Sequence, residues 1–327
     1  MIRWLNPSLA LVALVAILAA CLLGSVPLPP ARMLGALFGG GDVGDGVVVW
    51  AIRLPRAIAA FAVGAALGAS GAALQGLLRN PLAEPGVLGV SASAALTATV
   101  AIYYGIAGSL AWALPVASVA GALAATALIA AAALWTRSVV TLILIGIGLS
   151  SLAGAVMALL LSLAPNPFTL FDMVNWTLGS VANRSFADIA FAAPFLLGGV
   201  GVLLATRRGL SALTLGEEAA AGIGLNLRRQ RLAVVAGAGL ATGGAVALAG
   251  AIGFVGIVAP HLVRPLVAND PARSLMPSAL LAGLFLVIAD IGVRLLPTES
   301  ELKLGVVAAL VGAPIFIVIA ARRRSGA

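Results

Sequence analysis

The chain has 327 residues, 62% of them hydrophobic and only 9% charged, with a formal net charge of +8. So little polar surface cannot cover a water-soluble globule, which excludes a soluble enzyme and leaves a polytopic membrane protein. A basic excess in such a chain reflects Lys- and Arg-rich loops on the cytoplasmic side, not a nucleic-acid partner.

A hydrocarbon core takes about 20 apolar residues of helix. On that measure the chain is all-α, with about ten transmembrane helices at 8–26, 56–77, 86–104, 110–134, 139–163, 188–206, 231–251, 254–267, 275–296 and 305–321. The first holds the only cysteine, Cys21, so no intramolecular disulfide forms. Leu18-Ala19-Ala20-Cys21 has the shape of a lipoprotein cleavage box. Leu22 follows where a small residue belongs, and the run reads as a spanning helix. The second and seventh are rich in glycine, including Gly64, Gly68 and Gly71, and Gly237, Gly239 and Gly243. Small residues three to four apart let helix backbones approach closely in lipid. The eighth is short for a crossing and reads either as a half-helix or as a helix packed inside protein, where irregular backbone is tolerated.

No stretch is polar enough for a separate soluble domain, so 1–327 reads as one transmembrane domain. Any energy source must then come from another subunit or an ion gradient. With the N-terminus inside, one set of loops is almost purely basic, with Arg79, Arg137, Arg207, Arg208, Arg228, Arg229, Arg264, Arg273 and Arg322 to Arg324. The opposite loops are mixed, with Arg32, Asp42, Asp45, Asp172, Glu299, Glu301 and Lys303. The asymmetry and the even number of spans put both termini in the cytoplasm. Segment 207–230 is moderately polar and helix-compatible on that same side. Glu217 and Glu218 suit a helix start, and Leu213, Leu215, Ala219 and Ile223 give a patchy apolar face.

Three stretches then build a resemblance. One is Arg53-Leu54-Pro55-Arg56, with Gly64, Gly68, Gln75 and Arg79-Asn80-Pro81-Leu82-Ala83-Glu84-Pro85. The second is Leu215-Gly216-Glu217-Glu218-Ala219 with Gly222. The third is Gly253-Phe254-Val255-Gly256 through Pro260-His261-Leu262-Val263-Arg264, then Asp290, Arg294, Glu301, Gly305 and Gly312-Ala313-Pro314. In order, over nearly the whole chain, they resemble the permeases of type II ATP-binding-cassette (ABC) importers. This FecCD/BtuC family takes up ferric siderophores, haem and cobalamin.

The resemblance implies an inner-membrane subunit that pairs as a homodimer around a central pathway, in contact with membrane lipids. Two cytoplasmic ATPases, carrying ATP and Mg, dock beneath it. A periplasmic or lipid-anchored substrate-binding protein docks outside. The chain itself would have no catalytic site and no cofactor. Arg53, Arg56 and Arg294 match positions that meet glutamates of the binding protein, where a guanidinium fork suits a carboxylate. Leu215, Gly216, Glu217, Glu218, Ala219 and Gly222 match the ATPase-coupling segment. The second, fifth and eighth helices would line the pathway, with Ser70, Gln75, Met157 and Ser162 as lining candidates. Asn80, Pro81, Pro260, His261, Arg264 and Asp290 belong to the structural motifs.

Two departures from the family pattern stand out: Asp270-Pro271-Ala272-Arg273 replaces Asp-His-Arg, and Leu302-Lys303-Leu304 precedes Gly305 without a proline. Asp290 and Arg294, four apart on one helix face, are expected to pair. A single histidine without a thiol pair argues against a transition-metal site. Asp290 is read as the one deep carboxylate, which disfavours a proton-coupled transporter and leaves no dyad for an intramembrane enzyme. Ferric siderophore is the leading cargo on this reading, then haem, then cobalamin, with molybdate-like anions last.

Overall fold

The computed structural model describes residues 2–24, 28–40, 42–110, 112–136, 138–297 and 301–322. Arg137, Glu299, Arg323 and Arg324 lie outside them. Among the described residues every regular element is a helix, and there is no strand. Seven helices are long and apolar enough to cross a membrane: α1 (Ile2–Leu22), the continuous stretch Val43–Leu78, α7 (Ala113–Trp135), α8 (Val139–Ser162), α10 (Phe186–Ala205), α13 (Leu227–Ala249) and α15 (Pro271–Leu295). Within Val43–Leu78, α3 (Val43–Val47) passes through a π-helical turn at Val48–Arg53 into α4 (Leu54–Leu78). Three shorter apolar helices are α5 (Val90–Tyr103), α14 (Val255–Val263) with its 3-10 extension to Val267, and α16 (Leu304–Arg322). Each of the ten apolar stretches expected from sequence is thus helical over most of its length.

The differences lie in the connections. α2 (Pro30–Leu37) and α9 (Pro167–Leu178) are helices in segments that hydropathy leaves as loops. α9 has clear local causes: the Asn166 side chain accepts from the Thr169 N–H at 2.9 Å, and Pro167 opens the first turn. At 12 residues it is too short to register as a span. The remaining short helices are α6 (Ile106–Ser109), α11 (Arg207–Ala212) and α12 (Glu217–Gly222).

α4 is the centre of the bundle, touched by α1, α10, α13, α14 and α15. Its glycines set this up. A Cβ at Gly64 or Gly68 would run into the carbonyls of Ala282 or Ser278 on α15, and one at Gly71 into the Gly256 carbonyl on α14. Lipid supplies no hydrophobic drive for helix association, so close backbone packing of this kind does the work. α8 is the opposite case. Only Leu142, Gly146 and Ala153 of its residues are buried, and one apolar face, with Val140, Leu144, Ile147, Leu152 and Leu159, is exposed.

The short helix expected at 254–267 is shorter still: nine α-helical residues, then a 3-10 turn ending at Ala268 in the left-handed region (φ 54°). Ahead of it, Gly250 and Phe254 also take positive φ, 70° and 66°. A phenylalanine there is uncommon and marks a constrained entry to α14.

Candidate functional site

The two candidate surfaces sit at opposite ends of the bundle. At one end the arginines of the docking motif turn inward. Arg56 donates from Nε to Asp290 Oδ1 at 2.9 Å and from Nη2 to the same oxygen at 2.7 Å. Its Nη1 donates to Glu301 Oε2 at 3.0 Å, and Nη2 also pairs with the other Glu301 oxygen. Arg294 Nε lies 3.1 Å from Asp290 Oδ2, so the expected i,i+4 pair is present. It is the lesser part of a larger cluster, because Arg56 holds the same carboxylate by more bonds.

The other donors cap a helix. Arg294 Nη1 donates to the carbonyls of Ala20 (3.0 Å) and Leu23 (3.2 Å), and Arg53 Nη1 to those of Cys21 and Leu22 (both 2.9 Å). These carbonyls at the end of α1 have no intrahelical partner, and a helix C-terminus favours cations. The Asp290 side chain is 1% exposed, that of Arg294 7%, and that of Glu301 39%. Glu301 is therefore the outermost carboxylate on Arg56. Glu301→Gln is expected to leave the fold intact and to make the Arg56 fork available, so that a carboxylate-bearing partner binds about tenfold more tightly. Titration of the purified permease with a carboxylate-rich peptide checks this, and weaker binding would contradict it.

At the other end, residues 207–230 form α11, a 3-10 turn at Leu213–Leu215, Gly216 (φ 111°), α12 and the Asn226 cap of α13. The segment is pinned at several points. Glu217 takes the buried Arg231 bidentately at 2.8 and 2.9 Å, and Gln230 Nε2 donates to the Thr206 carbonyl at 3.0 Å. Ser211 Oγ donates to Asp270 at 2.9 Å, and Arg79 at the end of α4 donates to the Leu213 carbonyl. Leu215, Glu218, Ala219 and Gly222 remain exposed, while Gly216 is half-buried. Arg79 carries structural weight that its sequence motif does not announce.

Between the ends, the 79–89 connection folds back against the bundle. Asn80 Oδ1 accepts from the Leu82 N–H at 2.9 Å, a turn in which the half-buried Pro81 is the middle residue. Ser150 on α8 donates to the Gly86 carbonyl at 2.8 Å. Glu84 packs beside Gly256 and accepts from the Phe254 N–H. Glu84 is half-buried, whereas Asp290 is 1% exposed. His261 and Arg264 lie half-buried in the last turn of α14 and its 3-10 extension, one residue and four after the buried Pro260. Among the described residues no three His, Cys, Asp or Glu side chains gather to hold a metal ion.

The pathway candidates do not converge within one chain. Ser70 and Gln75 are buried on the enclosed α4, with Gln75 Nε2 donating to the Gly256 carbonyl at 3.3 Å. Met157 is half-buried and Ser162 exposed on α8, where the Ser162 hydroxyl donates to the Ala158 carbonyl at 2.9 Å.

The fold is that of a multi-pass helical membrane protein with a pinned but exposed segment at one end. The FecCD transport family model matches residues 11–322, and the chain belongs to that family. It is 41% identical over 283 residues to an ABC transporter permease protein, YvrB, of Bacillus subtilis strain 168, covering 84% of this chain and 79% of that one. It is 37% identical over 321 residues to the vitamin B12 import system permease protein BtuC of Salmonella typhimurium, covering 97% and 94%. A solved structure described as a metal-chelate type ABC transporter in an inward-facing conformation superposes with a TM-score of 0.88. The two are 29% identical, with 97% of this chain and 98% of that one covered. The chain is accordingly an inner-membrane, multi-pass permease of an ABC importer.

Proposed function

We propose that this permease carries a metal chelate and that cobalamin leads the candidate cargoes, ahead of ferric siderophore and haem. The observation that carries this is the similarity to vitamin B12 permeases across nearly the full length of both chains. The motifs do not discriminate among these cargoes; ferric siderophore leads the sequence reading only as the commonest cargo of the family. Uptake of labelled cobalamin, ferric siderophore and haem in a deletion strain, with the gene restored as control, tests the reading. Selective loss of cobalamin supports it; selective loss of another cargo replaces it.

On this reading both termini are cytoplasmic, and residues 1–327 form one permease domain that pairs with a second copy. The open apolar face of α8, with Met157 and Ser162, supports a role in that pairing and in the pathway. The binding protein docks at the end bearing Arg53, Arg56 and Arg294. The ATPase, with its ATP and Mg, docks on Leu215, Gly216, Glu217, Glu218, Ala219 and Gly222. What supports the second assignment is a segment fixed to α4, α13 and α15 yet exposed, which can transmit a push rather than absorb it.

Gly222 gives the sharpest test, since a Cβ built there meets nothing within 4 Å. Gly222→Trp is therefore expected to insert and fold normally, while transport falls about tenfold or more, the scale of a disrupted interface hot spot. Uptake and ATP hydrolysis in reconstituted vesicles separate the two. Wild-type uptake by this variant contradicts the assignment.

A further inference from the structure

The end of the bundle that bears the coupling segment holds a second feature, away from α12. A cavity of about 660 Å³ opens between the first turns of α1, the end of α10, α11 and the start of α15. Its cations are Arg207, Arg208 and Arg273, and its carboxylate is Asp270. Asp270 is already engaged: it accepts from Ser211 Oγ and the Ala272 N–H, both at 2.9 Å, and lies 3.3 Å from Arg273 Nε. Arg207 and Arg208 have neither a hydrogen bond nor an ion pair among the described residues. The cavity wall therefore carries an excess of two positive charges. The rest of the wall includes apolar Leu204 and Met276.

We propose that this cavity binds the headgroup of an anionic phospholipid. Arginine forks match phosphate oxygens, and basic pockets between membrane helices favour anionic headgroups. The apolar half of the wall sets a lipid apart from a free anion. Both flanking helices continue away from the cavity with exposed apolar side chains, Leu11, Leu14 and Val15 on α1 and Leu197 on α10. Acyl chains can lie along those faces while the phosphate sits on Arg207 and Arg208. A free phosphate would use only the polar half.

The test uses the full-length permease in nanodiscs of phosphatidylcholine containing a minority of phosphatidylglycerol, with retained lipid read by native mass spectrometry. The wild type is expected to retain phosphatidylglycerol selectively. The Arg207→Gln/Arg208→Gln double variant is expected to lose about tenfold or more of that selectivity, from two near-surface charges. Arg228→Gln/Arg229→Gln removes equal charge outside the cavity and is expected to change nothing. Equal losses in both double variants would mean a diffuse positive field and overturn the site. Displacement of the lipid by millimolar inorganic phosphate would make it a free-anion site, and unchanged lipid retention with weakened ATPase binding would make it a protein contact. Either result also overturns the proposal.

Discussion

Asp290→Ala is expected to lower the stability of the permease by about 3–5 kcal/mol, the cost of stripping one partner from a buried ion pair. Two guanidiniums lean on this carboxylate, Arg56 from α4 and Arg294 from its own helix. Removing it leaves Arg56 with only the half-exposed Glu301 and Arg294 with only backbone carbonyls, those of Ala20 and Leu23 among them, in a place where water cannot compensate. Asp290→Asn keeps the shape and loses the charge, and is expected to fall nearly as far. Glu301→Gln is expected to cost under about 1 kcal/mol, because a partly exposed pair is screened. Denaturation of the purified variants in one detergent checks the order. Equal stability of Asp290→Ala and Glu301→Gln would show that the cluster does not hold α4 and α15 together.

Gly71→Val is expected to be the most damaging single change among the small residues of α4. Its Cβ would run into the carbonyl of Gly256, and a backbone atom cannot move aside as a side-chain tip can. That carbonyl also accepts from Gln75 one turn on, so pushing α14 away breaks a buried hydrogen bond as well. The combined cost is about 3 kcal/mol or more, at the upper end for an overpacked core. Gly154→Ala on α8 is the control: nothing lies within 4 Å of its Cβ, so the expected change is neutral or slightly stabilising. The yield of monodisperse protein on size exclusion separates the two. A normal yield for Gly71→Val would remove close α4–α14 packing from the account.

Several features were legible because their causes are local. The Asp290–Arg294 pair follows from a spacing of four on a helix, and the short α14 from a run too brief to cross. Glycines spaced along α4 announced close packing, although not which helices they admit. The Arg56–Asp290 contact joins residues 234 apart in sequence, and no spacing rule reaches that far. The same holds for Arg79 at the Leu213 carbonyl and for Ser211 at Asp270. Glu217 shows a subtler limit. Its acidity and place near a helix start were readable, but Arg231 directs it inward while Glu218 beside it stays exposed.

By itself the sequence determined the solvent, the helical class and the rough position of each apolar helix. These depend on hydropathy summed over about 20 residues, which neighbouring residues settle among themselves. Its motifs also placed the chain among importer permeases, since short patterns in a fixed order survive without knowledge of contacts. Only the tertiary structure decided how the charges are used. Arginines that read as outward-facing docking cations are drawn inward by Asp290, Glu301 and the open carbonyls of α1, because a charge near lipid needs a partner and the fold supplies one. The same packing enclosed α4 and left α8 open, an outcome set by where glycines meet backbone across helices and not by the apolar character the two share.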